Sequence, residues 1–66
     1  MELWITRNKD GSLWAFDLIP ILNNQGDKFV TEDDEFNDTL YFELYDEYFP
    51  EVTFENSPQK VKIELV

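Results

Sequence analysis

Apolar and polar residues alternate in short runs along this chain, and clusters of Asn, Asp, Gly, Ser and Pro separate the runs. A period of two places alternate side chains on opposite faces and predicts half-buried β-strands. Leu3-Trp4-Ile5-Thr6 and Leu13-Trp14-Ala15-Phe16-Asp17-Leu18-Ile19 are the first two such runs, rich in β-branched and aromatic residues. Asn8-Lys9-Asp10-Gly11 lies between them, with Gly11 placed to take the positive φ that closes a hairpin through a bulge. In the second run Trp14, Phe16 and Leu18 share one face, and Leu13, Ala15, Asp17 and Ile19 share the other. The more aromatic first set is the expected core face. Trp4 stands between Leu3 and Ile5, and alternation alone leaves its face open. Pro20 ends the ladder or sits at an edge.

Asn23-Asn24-Gln25-Gly26-Asp27 reads as a second turn, with Lys28-Phe29-Val30-Thr31 as a short strand returning from it. Glu32 to Asp38 reads as an exposed loop, because four adjacent carboxylates need water or counter-charges. Alternation resumes from Thr39 to Leu44, with Leu40, Phe42 and Leu44 on one side and Tyr41 and Glu43 on the other. Leu44 and Tyr48 then stand four apart and Pro50 stops further winding, which predicts one short helical turn near residues 45–49. Glu51 to Glu55 alternates again, and Asn56-Ser57-Pro58 is turn-like. Lys60 to Val66 closes the chain as a strand, with Val61, Ile63 and Leu65 inward and Lys62 and Glu64 outward. The expected fold is one mostly β domain over residues 1–66, a small antiparallel meander with an N-terminal hairpin and that helical turn. A small α+β arrangement is the alternative.

The closing segment resembles a known group of sequences. Glu43-Leu44, Tyr48-Phe49-Pro50-Glu51-Val52-Thr53-Phe54-Glu55-Asn56-Ser57-Pro58 and Val61-Lys62-Ile63-Glu64 look like the C-terminal signature of short proteins of Bacteroides-type gut bacteria and their mobile elements. Trp4-Ile5-Thr6-Arg7-Asn8-Lys9-Asp10-Gly11-Ser12-Leu13 is similar to their N-terminal hairpin. The two segments cover about half of the chain, and Asn23 to Asp38 departs in its acidity. The resemblance implies a small β-rich fold and brings no activity and no site residues.

Charge changes the picture most. Phe29 to Gln59 contains Glu32, Asp33, Asp34, Glu35, Asp38, Glu43, Asp46, Glu47, Glu51 and Glu55, and no lysine or arginine. The flanking segments nearly balance, so this middle accounts for the net charge of −10. A composition 42% apolar and 17% aromatic still argues for folding rather than disorder. At 66 residues without cysteine the core is small and unstapled, and a stability of roughly 3–5 kcal/mol is expected.

Without histidine or cysteine the chain lacks the usual general base and the best nucleophile, so it is not expected to be an enzyme. Its two glycines both read as turns and form no phosphate loop. The opening is not that of a signal peptide, and Leu18-Ile19-Pro20-Ile21-Leu22 is too short to cross a bilayer. A cytoplasmic protein with no membrane partner, no cofactor and no metal is expected. Glu32-Asp33-Asp34-Glu35 with Asn37 and Asp38 raises calcium, but lacks the alternating ligands and turn glycine of a dedicated loop.

Direct nucleic-acid binding is disfavoured, since Tyr41, Tyr45 and Tyr48 have no cationic groove beside them. A protein partner of basic character fits better. Tyr45, Tyr48 and Phe49 on the expected helical turn, rimmed by Asp46, Glu47 and Glu51, make a contact patch, and Tyr45, Tyr48, Glu43, Glu47, Glu51 and Glu55 are the expected interaction residues of a small acidic protein-interaction module. Two other readings stay open. Alternate residues of a strand stand about 6.6–6.8 Å apart on one face, so Glu51 and Glu55, sharing a face with Thr53, and Glu43, on the face of Tyr41, read as carboxylate rows that imitate a phosphate backbone, which suits an inhibitor of a basic nucleic-acid-binding protein. A structural subunit that self-associates through an edge strand, forming a homo-oligomer, is the other.

Overall fold

The hairpin closed by Gly11 forms the centre of the sheet in the computed structural model, which describes residues 2–31 and 40–62. Strand β1 (Glu2–Arg7) pairs antiparallel with β2 (Leu13–Phe16), matching Ile5 to Ala15 and Arg7 to Leu13. Gly11 takes φ 94°, a region where a side chain is strained, and its N–H donates to the Asn8 carbonyl at 2.9 Å. Asp10 completes the loop by accepting from the Ser12 N–H at 2.9 Å and the Ser12 hydroxyl at 2.6 Å. Those two bonds to Ser12, side chain first and backbone second, hold the Asp10 carboxyl below its ordinary range.

Two outer strands complete the sheet in the order β5-β2-β1-β6. Strand β5 (Tyr41–Leu44) lies antiparallel beside β2, and β6 (Gln59–Lys62) antiparallel beside β1. A second, two-stranded sheet joins β3 (Ile21–Leu22) to β4 (Phe29–Val30). Its turn is organised by Asn23, whose side-chain oxygen accepts from the Asp27 N–H at 3.0 Å, and by Gly26 at φ 73°. The hairpin is tied to the first loop, because the Phe29 N–H donates to the Asn8 side chain and the Lys9 N–H to the Asp27 carbonyl, both at 2.9 Å. The fold is therefore mostly β, built of two antiparallel sheets without a helix among the described residues.

The core face is the reverse of the one expected. Leu3, Ile5, Leu13 and Ala15 are buried on one side of the sheet under Val52, with Leu44, Phe49 and Val61 packed around them. Trp14 is half-buried on the other side and Leu18 is exposed, so only Phe16 of the aromatic set is buried. The physical reason is that β2 stops at Phe16, and the small Ala15 lets the chain of residues 49–52 approach the sheet closely.

Three other segments also differ from the sequence reading. Residues 45–49 make one hydrogen-bonded turn, Tyr48 N–H to Tyr45 carbonyl at 3.0 Å, that does not continue into a helix. Phe49 enters the left-handed region at φ 48° and Pro50 has no N–H, so winding ends there. Glu51 to Glu55 is not a strand but a pair of turns, in which the Asn56 side chain accepts from the Thr53 N–H at 2.8 Å and donates to the Glu51 carbonyl at 2.8 Å. Ile21–Leu22, beyond Pro20, is a strand the sequence reading left out. The expected acidic loop Glu32 to Asp38 and the residues Ile63, Glu64 and Leu65 lie outside the described residues.

The second face of the sheet buries Thr6 completely, and its hydroxyl has no hydrogen-bond partner among the described residues. A buried hydroxyl of this kind is a net cost. Thr6→Val keeps the shape and the β-branch, and is expected to stabilise the protein by about 1 kcal/mol. Thermal unfolding should show a rise of about 4–8 °C. A lowered midpoint would show instead that the hydroxyl is satisfied in solution.

Candidate functional site

The turn after strand β5 is held by an arginine at the loop end of the first hairpin. Arg7 is the last residue of β1 and lies on the core face of the sheet, directly across from Leu13. Its guanidinium donates to the carbonyl oxygens of Val52 (2.7 Å), Gly11 (2.9 Å), Asp46 (3.1 Å), Tyr48 (3.2 Å) and Phe49 (3.2 Å). All five acceptors are main-chain oxygens. The planar fork of arginine is suited to this, since it spreads several donors over a fixed plane. The Arg7 N–H also donates to the Ser57 hydroxyl at 2.9 Å, which fixes the end of the same segment. The left-handed Phe49 is held from both sides, because its carbonyl accepts from Arg7 and from the Val52 N–H at 2.9 Å.

The consequence is an ordered surface made of Glu43, Leu44, Tyr45, Asp46, Glu47 and Tyr48, which line an open concavity of about 980 Å³. Tyr45 and Tyr48 meet edge to face, with ring centroids 5.5 Å apart and planes at 87°. Such pairing fixes the rings relative to each other. Tyr45 is nevertheless 71% exposed and Tyr48 49%. Phe49, by contrast, turns inward against the core. Among the described residues the carboxylates of Glu43, Asp46 and Glu47 take part in no ion pair. Among the described residues no side-chain cation pairs with these carboxylates, and the Arg7 guanidinium beneath them is enclosed by carbonyl dipoles.

Of the six residues expected to interact, Glu43, Tyr45, Glu47 and Tyr48 come together around this concavity. Glu51 and Glu55 do not line it, and both sit in the turns that follow. The regular carboxylate row imagined for Glu51 to Glu55 is not formed, because that stretch is not extended. Among the described residues no cluster of three or more acidic side chains is arranged to hold a metal ion. The residues that raised calcium, Glu32 to Glu35, Asn37 and Asp38, are outside the described set.

The sequence reading missed Arg7 as the organiser of the site. A signal was present, since Arg7 is the sole arginine in a chain otherwise served by lysine, yet nothing in local spacing connects it to residues 46–52. It placed Leu40 and Phe42 on one face of this strand and Tyr41 on the other without making them site residues, and along the edge of the sheet they are 70%, 48% and 58% exposed. Tyr41 is partly covered by Trp14 and Phe16, each with ring centroids 6.0 Å away. Together with Phe29, these rings line a smaller cleft of about 250 Å³ between the two sheets, where Lys28 also lies.

Comparison with protein families, with characterised proteins and with solved structures gave no match to this chain. Among the described residues no helix is long and apolar enough to cross a membrane. The functional reading therefore stands on the geometry of the site.

Proposed function

We propose that this protein is a small acidic protein-interaction module that binds another protein through Glu43, Tyr45, Glu47 and Tyr48. The observation that carries the reading is the exposed tyrosine pair on a turn fixed by Arg7. Tyrosines held rigidly in a solvent-exposed position supply contact area at low entropic cost. Uncompensated carboxylates around them favour a partner with a basic surface and discourage acidic ones. The reading extends to a cytoplasmic, non-enzymatic protein that acts without a cofactor. It includes kinship with the short Bacteroides-type proteins whose terminal segments it resembles.

The test compares affinity capture by the native chain with capture by the Tyr45→Ala/Tyr48→Ala double variant. Both rings are exposed, so the variant is expected to keep its fold, checked by circular dichroism. A partner retained by the native chain and lost by the double variant is the expected result, while Glu55→Gln leaves capture intact. Identical captured sets from native and double variant would remove the tyrosine turn from any role in recognition.

A further inference from the structure

The concavity opens beside a strand that has hydrogen-bonding capacity left over. In antiparallel pairing each residue directs its N–H and C=O to one neighbour only, and successive residues alternate. The Asp17 N–H donates to the Leu40 carbonyl at 3.2 Å, and register carries the bonded positions on to Phe42 and Leu44. The first hairpin agrees, because the Asn8 N–H donates to the Ser12 carbonyl and leaves Leu13 and Ala15 to face β5. The N–H and C=O groups of Tyr41 and Glu43 therefore point away from the sheet. Among the described residues no strand lies beyond them.

The two edges of this sheet are built differently. Edge strand β6 reads Gln59-Lys60-Val61-Lys62, and lysines on an edge discourage further pairing. Lys60 is moreover engaged with Glu2 at 3.0 Å and lies over the Trp4 ring. Edge strand β5 reads Tyr41-Phe42-Glu43-Leu44, carries no lysine, and has Glu43 as its single charge. Its exposed apolar groups line both faces, Tyr41 on one and Leu40 with Phe42 on the other.

Building on the interaction reading above, we infer that β5 receives an extended segment of the partner as a fifth, antiparallel strand, and that this segment alternates apolar and basic residues. Charge selects this occupant. A second copy of the chain would bring a second net charge of −10 against this acidic surface. A basic strand meets the same surface with attraction. Register specifies the details. The residue directly opposite Glu43 shares its face and is lysine or arginine, and the residues on either side of it lie across from Phe42 and Leu44 and are apolar. The main-chain groups of the basic residue bond those of Glu43, as in other strand-addition complexes.

The probe is a synthetic peptide of alternating valine and lysine, titrated against the full-length protein while backbone amides are followed by NMR. The expected result is saturable binding, with slowed hydrogen exchange at the Tyr41 and Glu43 amides. Replacing the peptide's lysines by glutamate is expected to weaken binding at least about tenfold, and Glu43→Lys in the protein to reverse that preference. N-methylation of the peptide at the lysine facing Glu43 should abolish binding, whereas methylation one residue along, where the N–H points outward, should not. Binding indifferent to the methylation site would overturn strand addition. So would Tyr41 and Glu43 amides already protected in the unliganded protein together with a doubled sedimentation mass, since a second copy would then occupy the edge. If a captured partner depends on Tyr45 and Tyr48 while these peptides do not bind, the interaction reading survives and the strand is wrong. If the peptides bind and the double variant still captures normally, the reverse holds.

Discussion

Arg7→Ala is expected to leave the protein at or beyond the edge of unfolding under ordinary conditions. The guanidinium satisfies five carbonyl oxygens drawn from two separate stretches of chain, Gly11 on one side and residues 46–52 on the other. A hydrogen bond to a charged group contributes about 1.5–3 kcal/mol, and bonds sharing one donor group do not add fully. A loss of about 3–4 kcal/mol is the expected sum, against a total stability of roughly 3–5 for a domain of this size. Arg7→Lys should recover only part of it, because an ammonium has three donors, no plane, and cannot span the same acceptors. Urea unfolding followed by tryptophan fluorescence gives the measurement. A midpoint within about 0.5 kcal/mol of native for Arg7→Ala would show that Val52 and Phe49 hold the segment without help.

Leu13→Ala is expected to cost about 2–5 kcal/mol, comparable to the whole stability expected of the domain. Leu13 has no exposed surface, sits in the central strand β2, and packs with Leu3, Ile5, Ala15 and Val52. No neighbour can fill the space, because every flanking strand is pinned by its ladder. Leu18→Ala is the matching control. Leu18 is 45% exposed beyond the end of β2, and its truncation should change stability by less than about 0.5 kcal/mol. Equal losses from the two variants would mean that the sheet buries the opposite face in solution.

That pair of residues also marks how far the sequence could be read. The hairpin was legible because Gly11 and the flanking alternation are local signals, and the structure realises both. The alternation of β5 was legible for the same reason, with Leu44 inward and Glu43 outward. Which face of β2 becomes the core was not local. It depends on Val52, thirty-nine residues away from Leu13, arriving over Ala15. Bulk misled here, since the aromatic face offers more area to bury but no closely fitting cover. The helical turn expected at residues 45–49 is instead a single hydrogen-bonded turn, because only Tyr48 N–H to Tyr45 carbonyl closes it. Its termination by a left-handed Phe49 needed Arg7, which no spacing rule connects to it. Tyr45, Tyr48, Glu43 and Glu47 could be picked out together because they fall within six residues, whereas Glu51 and Glu55 were grouped with them on an alternation that did not become a strand.

Since Arg7 grips only main-chain oxygens, the turn it supports is indifferent to the side chains that the turn displays. Positions 45 to 48 are thus a face whose lettering can be changed while its mounting stays fixed. Exchanging Tyr45, Asp46, Glu47 and Tyr48 for other exposed residues should redirect what the protein recognises at little expense to its fold. The chain then offers a 66-residue frame on which binding specificities can be diversified in the laboratory.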